Sequence, residues 1–413
     1  MTQPHRTIVG LGFGPIQSGL FLYEAFRTGL FRRLVVAEVI PDVVRKVRAA
    51  GGYNVNIATL SGIRSEFIPG VQILDPAQPG DREALLQAIG EATDVSTALP
   101  SVDFFDRGGA SAPAGILAEG LALKSRRGGQ PAVIFTGENH IHAAELLSAA
   151  IERRGGPADL PQLCQCLNTV IGKMSQIVSD PEEIRNRRLS PSTPDSGKAF
   201  LVEEFNRILI SRITLRGYTP AIRTFMEKDD LSLFEETKLY GHNAVHAMSG
   251  YLLHTRRCAG MAEMRKHPDL MTTAREALVA ESGAALRRKY AGADPLATED
   301  GFNAYADDLL PRMVNPWLGD TVDRVIRDPA RKLGWDDRLI GAMRLCLSQG
   351  VMPRRLAAGA VEAMRFLAAA RNASDPVVLL ETLWQPASPD PSEKAAVLDT
   401  LREAARSAAP AAP

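Results

Sequence analysis

Residues 7–38 confine the chain to a narrow set of folds. Residues 7–10 are a short β-branched run, followed by the loop GLGFGPIQSG over 10–19, an apolar-periodic helix over 20–27, and a second apolar strand over 34–37 that closes on Glu38. Strand, glycine loop, helix, strand and acid, in that order, are what a dinucleotide-binding βαβ unit requires. Glycines allow the tight turn and a close approach of backbone to a pyrophosphate, whose charge sits at the helix N-terminus. Gly12, Phe13, Gly14, Ile16 and Gln17 are therefore candidate cofactor residues. Glu38 is placed to hold ribose hydroxyls and to repel a 2′-phosphate, which selects NAD over NADP. One position departs from the pattern: Gln17 stands where Gly or Ala normally permits close helix–strand packing. It either alters the approach of the helix or sets an amide near the phosphates.

The alternation continues. Helices are expected over 42–50, 82–92, 113–123 and 143–154, and strands over 54–58, 70–74, 95–99 and 132–136. Strand carboxyl ends line the ligand crevice in such folds. That marks Thr97, at the end of one strand, as a cofactor candidate, and Asn139, just past another, as a candidate for meeting a substrate. Residues 167–178 read as one extended segment containing Lys173, and 180–196 as an exposed polar loop or flap. Beyond about residue 201 strand signals thin out and helical periodicity takes over. The expected architecture is an α/β Rossmann-type N-terminal domain (1–200), a mostly α-helical C-terminal domain (201–407) and a disordered low-complexity tail (408–413).

The stretch 234–253, FEETKLYGHNAVHAMSGYLL, has the apolar content of a buried helix yet carries Lys238, His242, Asn243 and His246. Burying such groups unpaired costs roughly 2–7 kcal/mol each, so some of them are expected to do chemistry. On an α-helix, at about 100° per residue, His242 and His246 fall about 40° apart and Asn243 and His246 about 60° apart. Lys238 and Asn243 fall about 140° apart, a poor arrangement for one site unless Lys238 sits at the helix start and its stem reaches round. A lysine brought from about 10.4 toward 7–8 can take a hydroxyl proton. The competing reading is a core helix whose polar groups are satisfied by backbone.

Composition excludes other classes. Lys+Arg and Asp+Glu are both 48, so the formal net charge is +0, and nothing points to nucleic acid or an anionic membrane as partner. No run of about 18 apolar residues is present, and the chain enters a strand pattern at once, so a cytoplasmic protein is expected. Cys164-x-Cys166 and His140-x-His142 match no strong zinc spacing, and reduced thiols without a metal site are expected. Residues 315–338 concentrate Arg324, Arg327, Arg331, Lys332 and Arg338. Arginine forks suit phosphate or carboxylate oxygens, although accompanying aspartates allow plain solvated ion pairs.

With these segments placed, the chain resembles the mannitol dehydrogenase family of polyol-specific long-chain dehydrogenases, from the glycine loop to about Phe366. Lys238-x4-Asn243-x2-His246 matches the family's catalytic signature. The run NPWLGDTVDRVIRDPARKL over 315–333 matches its phosphate-specific branch, and Glu138-Asn139 after a strand matches its substrate-oxygen asparagine. The resemblance implies a metal-independent, NAD-linked interconversion of a polyol or polyol phosphate with the corresponding ketose. Lys238 would be the general base, Asn139 and Asn243 the oxyanion pocket, and His246 a ligand of substrate hydroxyls. Lys332 matches a substrate-contacting lysine, and Arg327 and Arg331 are candidates for a phosphate end. The expected partner is a small molecule, on a monomer or small homo-oligomer. Besides Gln17, Gly172 departs from the family by replacing an acid in the run 170–174. A sugar acid therefore remains an alternative substrate, and a cofactor-binding sensor without turnover an alternative function.

Overall fold

The computed structural model describes residues 6–205, 207–373 and 375–407; the tail expected over 408–413 lies outside the described residues. The chain divides into two compact units, Met1–Leu231 and Ser232–Pro413.

The first unit holds twelve strands among the described residues. They are β1 (Arg6–Leu11), β2 (Phe31–Ala37), β3 (Gly52–Ala58), β4 (Ile63–Pro69), β5 (Val71–Leu74), β6 (Asp94–Thr97), β7 (Ala132–Thr136), β8 (Cys164–Ile171), β9 (Ser175–Val178), β10 (Ala199–Glu203), β11 (Ile208–Ser211) and β12 (Phe225–Lys228). Eight of them form the main sheet, of order β12-β11-β8-β7-β6-β1-β2-β5. From β5 through β8 neighbouring strands run parallel. Helices cover both faces, so successive residues such as Ile8 and Val9 are buried in separate cores. That is why these strands read as continuous apolar runs and not as alternation. Strand order reverses at β1, which pairs with β2 on one side and β6 on the other. The register Leu11↔Ala37 and Leu11↔Thr97 brings three carboxyl ends level there. Such a reversal opens a crevice at strand carboxyl ends.

The remaining four strands form a smaller sheet, of order β4-β3-β10-β9. The segment expected as continuous over 167–178 is thus β8 and β9, in different sheets, with the break at 172–174. The segment 180–196 is not a free flap. It holds a short helix, Pro181–Asn186, and is fastened to β3 where Asn54 Nδ2 donates to Pro191 O at 2.9 Å and Asn56 Nδ2 to Ser190 O at 2.8 Å.

The division falls at 231/232, whereas the sequence expectation placed it at 200/201. The cause is β11, which pairs antiparallel with β8 (Leu209↔Val170) and carries β12 beside it. Strands of four residues show too few alternations to read by period. Their membership is decided by the sheet edge they join.

The second unit is helical. Its central helix runs over Ser232–Glu236, Thr237–Asn243 and Ala244–Thr255. Ala244, Val245, Ala247, Met248, Tyr251 and Leu253 enter the core. Among the described residues no helix is long and apolar enough to cross a membrane.

Candidate functional site

In the first unit the glycine loop lies at the point of strand reversal. Gly12 has φ +88, and a β-carbon there would stand 2.9 Å from Ala98 O, so the position requires glycine in both backbone angle and space. A β-carbon on Gly14 would meet nothing within 4 Å. The loop therefore faces open space where a pyrophosphate needs it. Phe13 does not: its ring packs edge-on to Tyr53 and Phe200 at 5.0 and 5.4 Å, leaving only its backbone available to a cofactor. Ile16 is half-buried. Glu38 sits at the end of β2 with Oε1 accepting from Val39 N and Ile40 N at 2.7 and 2.9 Å.

Gln17 does not present an amide to phosphates. It is buried, with Nε2 2.9 Å from Ser96 Oγ on β6. The space it occupies lies over Gly10, where a β-carbon would fall 2.3 Å from Gln17 Nε2. Close approach of helix and sheet is thus preserved by a glycine on the strand instead of one on the helix, and the helix itself begins as a π turn over Gln17–Leu22. Gly10→Ala is expected to destabilise by about 1–3 kcal/mol through overpacking. Adding Gln17→Ala should recover most of that loss. Denaturant unfolding of both single variants and the double variant checks this; strictly additive effects would rule the pairing out.

Thr97 is also committed elsewhere. It is buried, and its Oγ1 donates to Glu138 Oε2 at 2.7 Å, while Leu99 N donates to Glu138 Oε1 at 2.8 Å. Burial raises the Glu138 carboxyl, opposed by these hydrogen bonds. Glu138 therefore ties the turn after β6 to the turn after β7, where Asn139 is exposed. The sequence reading passed over that role, and a buried acid beside a strand-end asparagine was its only trace. Two cavities in this unit, of about 610 Å³ beside Cys164 and about 410 Å³ beside Arg6 and Pro131, lie toward strand amino ends, away from the reversal point.

In the second unit the central helix changes winding where the polar residues sit. Thr237–Asn243 is a π-helix. Hydrogen bonding from i to i+5 returns a residue five places along to nearly the same side. The 140° conflict expected between Lys238 and Asn243 on an α-helix is thereby relieved by the backbone and not by a long stem. Lys238 is half-buried. Desolvation first, then the charge of Arg338, lowers its pKa to about 8 against an opposing pull from Glu235. His242 is buried, and burial, with His246, Arg312, Lys238 and Arg338 around it, holds it well below the ordinary histidine range. His242 is therefore a neutral imidazole.

His246 Nε2 stands 3.0 Å from Asp320 Oδ2, although the ring nitrogen makes no well-aligned hydrogen bond. Burial pushes Asp320 up, but His246, Arg324 and Arg327 outweigh it and leave the carboxylate below its usual range. Asp320 also faces Arg324 Nη1 at 3.1 Å. The carboxylate that restrains His246 was in the 315–333 motif, unassigned. Lys332 is buried, and its Nζ donates to Arg327 O. Arg327 and Arg331 are exposed, Arg331 pairing with Asp328 at 3.0 Å. Neither arginine is gathered with Lys238 in the way Arg338 is. Among the described residues no three His, Cys, Asp or Glu side chains come together to hold a metal.

The chain is 30% identical over 336 residues to mannitol-1-phosphate 5-dehydrogenase of Bacillus licheniformis, covering 81% of each chain. It belongs to the mannitol dehydrogenase family. The family's C-terminal domain model matches residues 230–401. The Geobacillus stearothermophilus mannitol-1-phosphate 5-dehydrogenase is 27% identical over 75% of this chain and 74% of its own. Among solved structures, the Pseudomonas fluorescens mannitol 2-dehydrogenase ternary complex with NAD and D-mannitol aligns with TM-score 0.69 at 14% identity, covering 97% of this chain and 94% of that one. In this family member the Rossmann-type unit and the helical unit stand as the sequence led one to expect.

Proposed function

We propose that the protein is an NAD-dependent oxidoreductase that interconverts a polyol, or a polyol phosphate of the mannitol 1-phosphate type, with the corresponding ketose. The observation that carries this reading is Lys238, set on a π turn with Asn243, one turn before His246 on the α-helix that follows, and brought to about 8 by desolvation and Arg338. At pH 7.5 a lysine titrating near 8 is neutral in roughly a quarter of molecules, against about one in a thousand for an unperturbed side chain.

Lys238 Nζ takes the proton of the substrate hydroxyl as the carbon–oxygen double bond forms. A nicotinamide cofactor held by the glycine loop and Glu38 would supply the acceptor for the hydride that leaves the same carbon. Asn243 holds the substrate oxygen by its amide donor and steadies the charge that develops on it, the duty that the family resemblance also implies for Asn139. His246, restrained by Asp320, binds an adjacent hydroxyl. Gly12, Gly14 and Glu38 are the residues suited to the cofactor's pyrophosphate and ribose, and the open space at Gly14 supports that fit. The buried Thr97 and Gln17 are withdrawn from cofactor contact, and Phe13 keeps only its backbone. Lys332 is retained as a substrate contact. Exposed Arg327 and Arg331 are the candidates for a phosphate end.

A screen of free hexitols, hexitol phosphates and hexonates against NAD and NADP, on protein dialysed against a chelator, tests the proposal. NADH formation with a hexitol or its phosphate is expected. Turnover of hexonates alone would move the substrate class to sugar acids. NAD binding by calorimetry with no turnover across the panel would replace the enzyme by a sensor.

A further inference from the structure

Arg338 stands out because its position is over-determined and its charge reaches groups on several elements. Asp337 Oδ1 accepts from Arg338 N at 2.6 Å and from Arg338 Nε at 2.8 Å, and only 15% of the side chain is exposed. The segment carrying it is pressed against the π turn. At Gly341 a β-carbon would fall 2.5 Å from Cε1 of Tyr240, so glycine there lets the Tyr240 ring of the π turn pack closely against this segment. Tyr240 Oη donates to Asp336 O at 3.4 Å, and Leu339 N to Lys332 O at 3.2 Å. The guanidinium thereby acts on Lys238 and His242 of the central helix, on Tyr251 further along it, and on Lys332.

The other charges around the π turn have partners of their own: Arg312 pairs with Asp308 at 2.9 Å. Glu236 binds Lys289 Nζ at 2.7 Å, and Asp336 faces Arg344 at 2.5 Å. Glu281, on the neighbouring turn, accepts from Arg355 N and Leu356 N at 2.7 and 3.0 Å. His242 is neutral, and Glu235 is the acid that opposes Arg338 at Lys238. A cation fixed beside a partly buried amine disfavours its charged form. Arginine suits this duty because it does not give up its own proton.

We propose that Arg338 is a positioning residue for catalysis, its guanidinium fixed by Asp337 on the segment packed against the π turn so that its charge favours the neutral, proton-accepting form of the Lys238 amine. This rests on the reading of Lys238 as the base. The test is a ¹³C NMR titration of the full chain after reductive methylation of its lysines, with the Lys238 signal assigned by Lys238→Arg, run beside the pH profile of kcat/KM for polyol oxidation. In the unsubstituted protein the Lys238 midpoint is expected near 8, moving toward 10.5 in Arg338→Gln and staying low in Arg338→Lys. The rising limb of kcat/KM should move with it. Asp337→Asn, at a partly exposed site, removes the counter-charge and is expected to shift the midpoint the opposite way. A midpoint unmoved in folded Arg338→Gln, or unmoved in Asp337→Asn should the first variant not fold, overturns the proposal. A midpoint that moves while the rate profile stays still leaves Arg338 in command of Lys238 and rejects Lys238 as the base.

Discussion

Lys238→Ala is expected to lower turnover by roughly 10²–10⁴-fold, the range that general base catalysis contributes, and to leave NAD affinity nearly unchanged. Steady-state kinetics with the best substrate of the screen and calorimetric titration with NAD measure the two effects. The sign of the pH dependence follows from the direction of the shift. Alcohol oxidation needs the neutral amine, which gains population as pH rises through about 8. The reverse ketone reduction needs the ammonium as proton donor and should fall over the same interval. Near wild-type turnover in a folded Lys238→Ala protein would remove this residue from the mechanism.

Gly12→Ala is expected to weaken NAD binding by at least roughly tenfold. A side chain at φ +88 is strained by about 1–2 kcal/mol, and its β-carbon would stand 2.9 Å from Ala98 O. Neither neighbour gives way easily. Gly12 N is bonded to Ala37 O at 3.0 Å, and the turn holding Ala98 is tied down through Leu99 N and Glu138. The strain is relieved most readily by moving the loop itself, which is the surface proposed for the pyrophosphate. Calorimetry on the folded variant checks it, and unchanged affinity would place the cofactor elsewhere.

The relation between sequence and structure differs from residue to residue. The positions of Gly12, Gly14 and Glu38 could be read because they depend on neighbours in the chain: a turn, a helix start, a strand end. Lys238, Asn243 and His246 could be read as a group, but their geometry could not. Nothing in a helical period of 3.6 announces a π turn, which forms where packing around the helix favours an extra residue in a turn. The side-chain partners of Gln17 and Thr97 could not be read, for one reason. Each is satisfied by a partner far away in sequence, Ser96 in one case and Glu138 in the other. Arg338 was visible as one of several basic residues, and only its partial burial and its charge acting on Lys238 set it apart from exposed Arg327 and Arg331.

Read alone, the chain determined the order of strands and helices around the glycine loop, the change from α/β to helix, and the residue types proposed for proton transfer. These are local patterns, written in periods of two or 3.6 and in glycine and acid spacing. Tertiary structure decided where the first unit ends, which polar side chains face inward to one another, and which cation stands beside the lysine. Those outcomes depend on sheet edges, buried hydrogen bonds and short-range charge, which act between residues that the sequence keeps far apart.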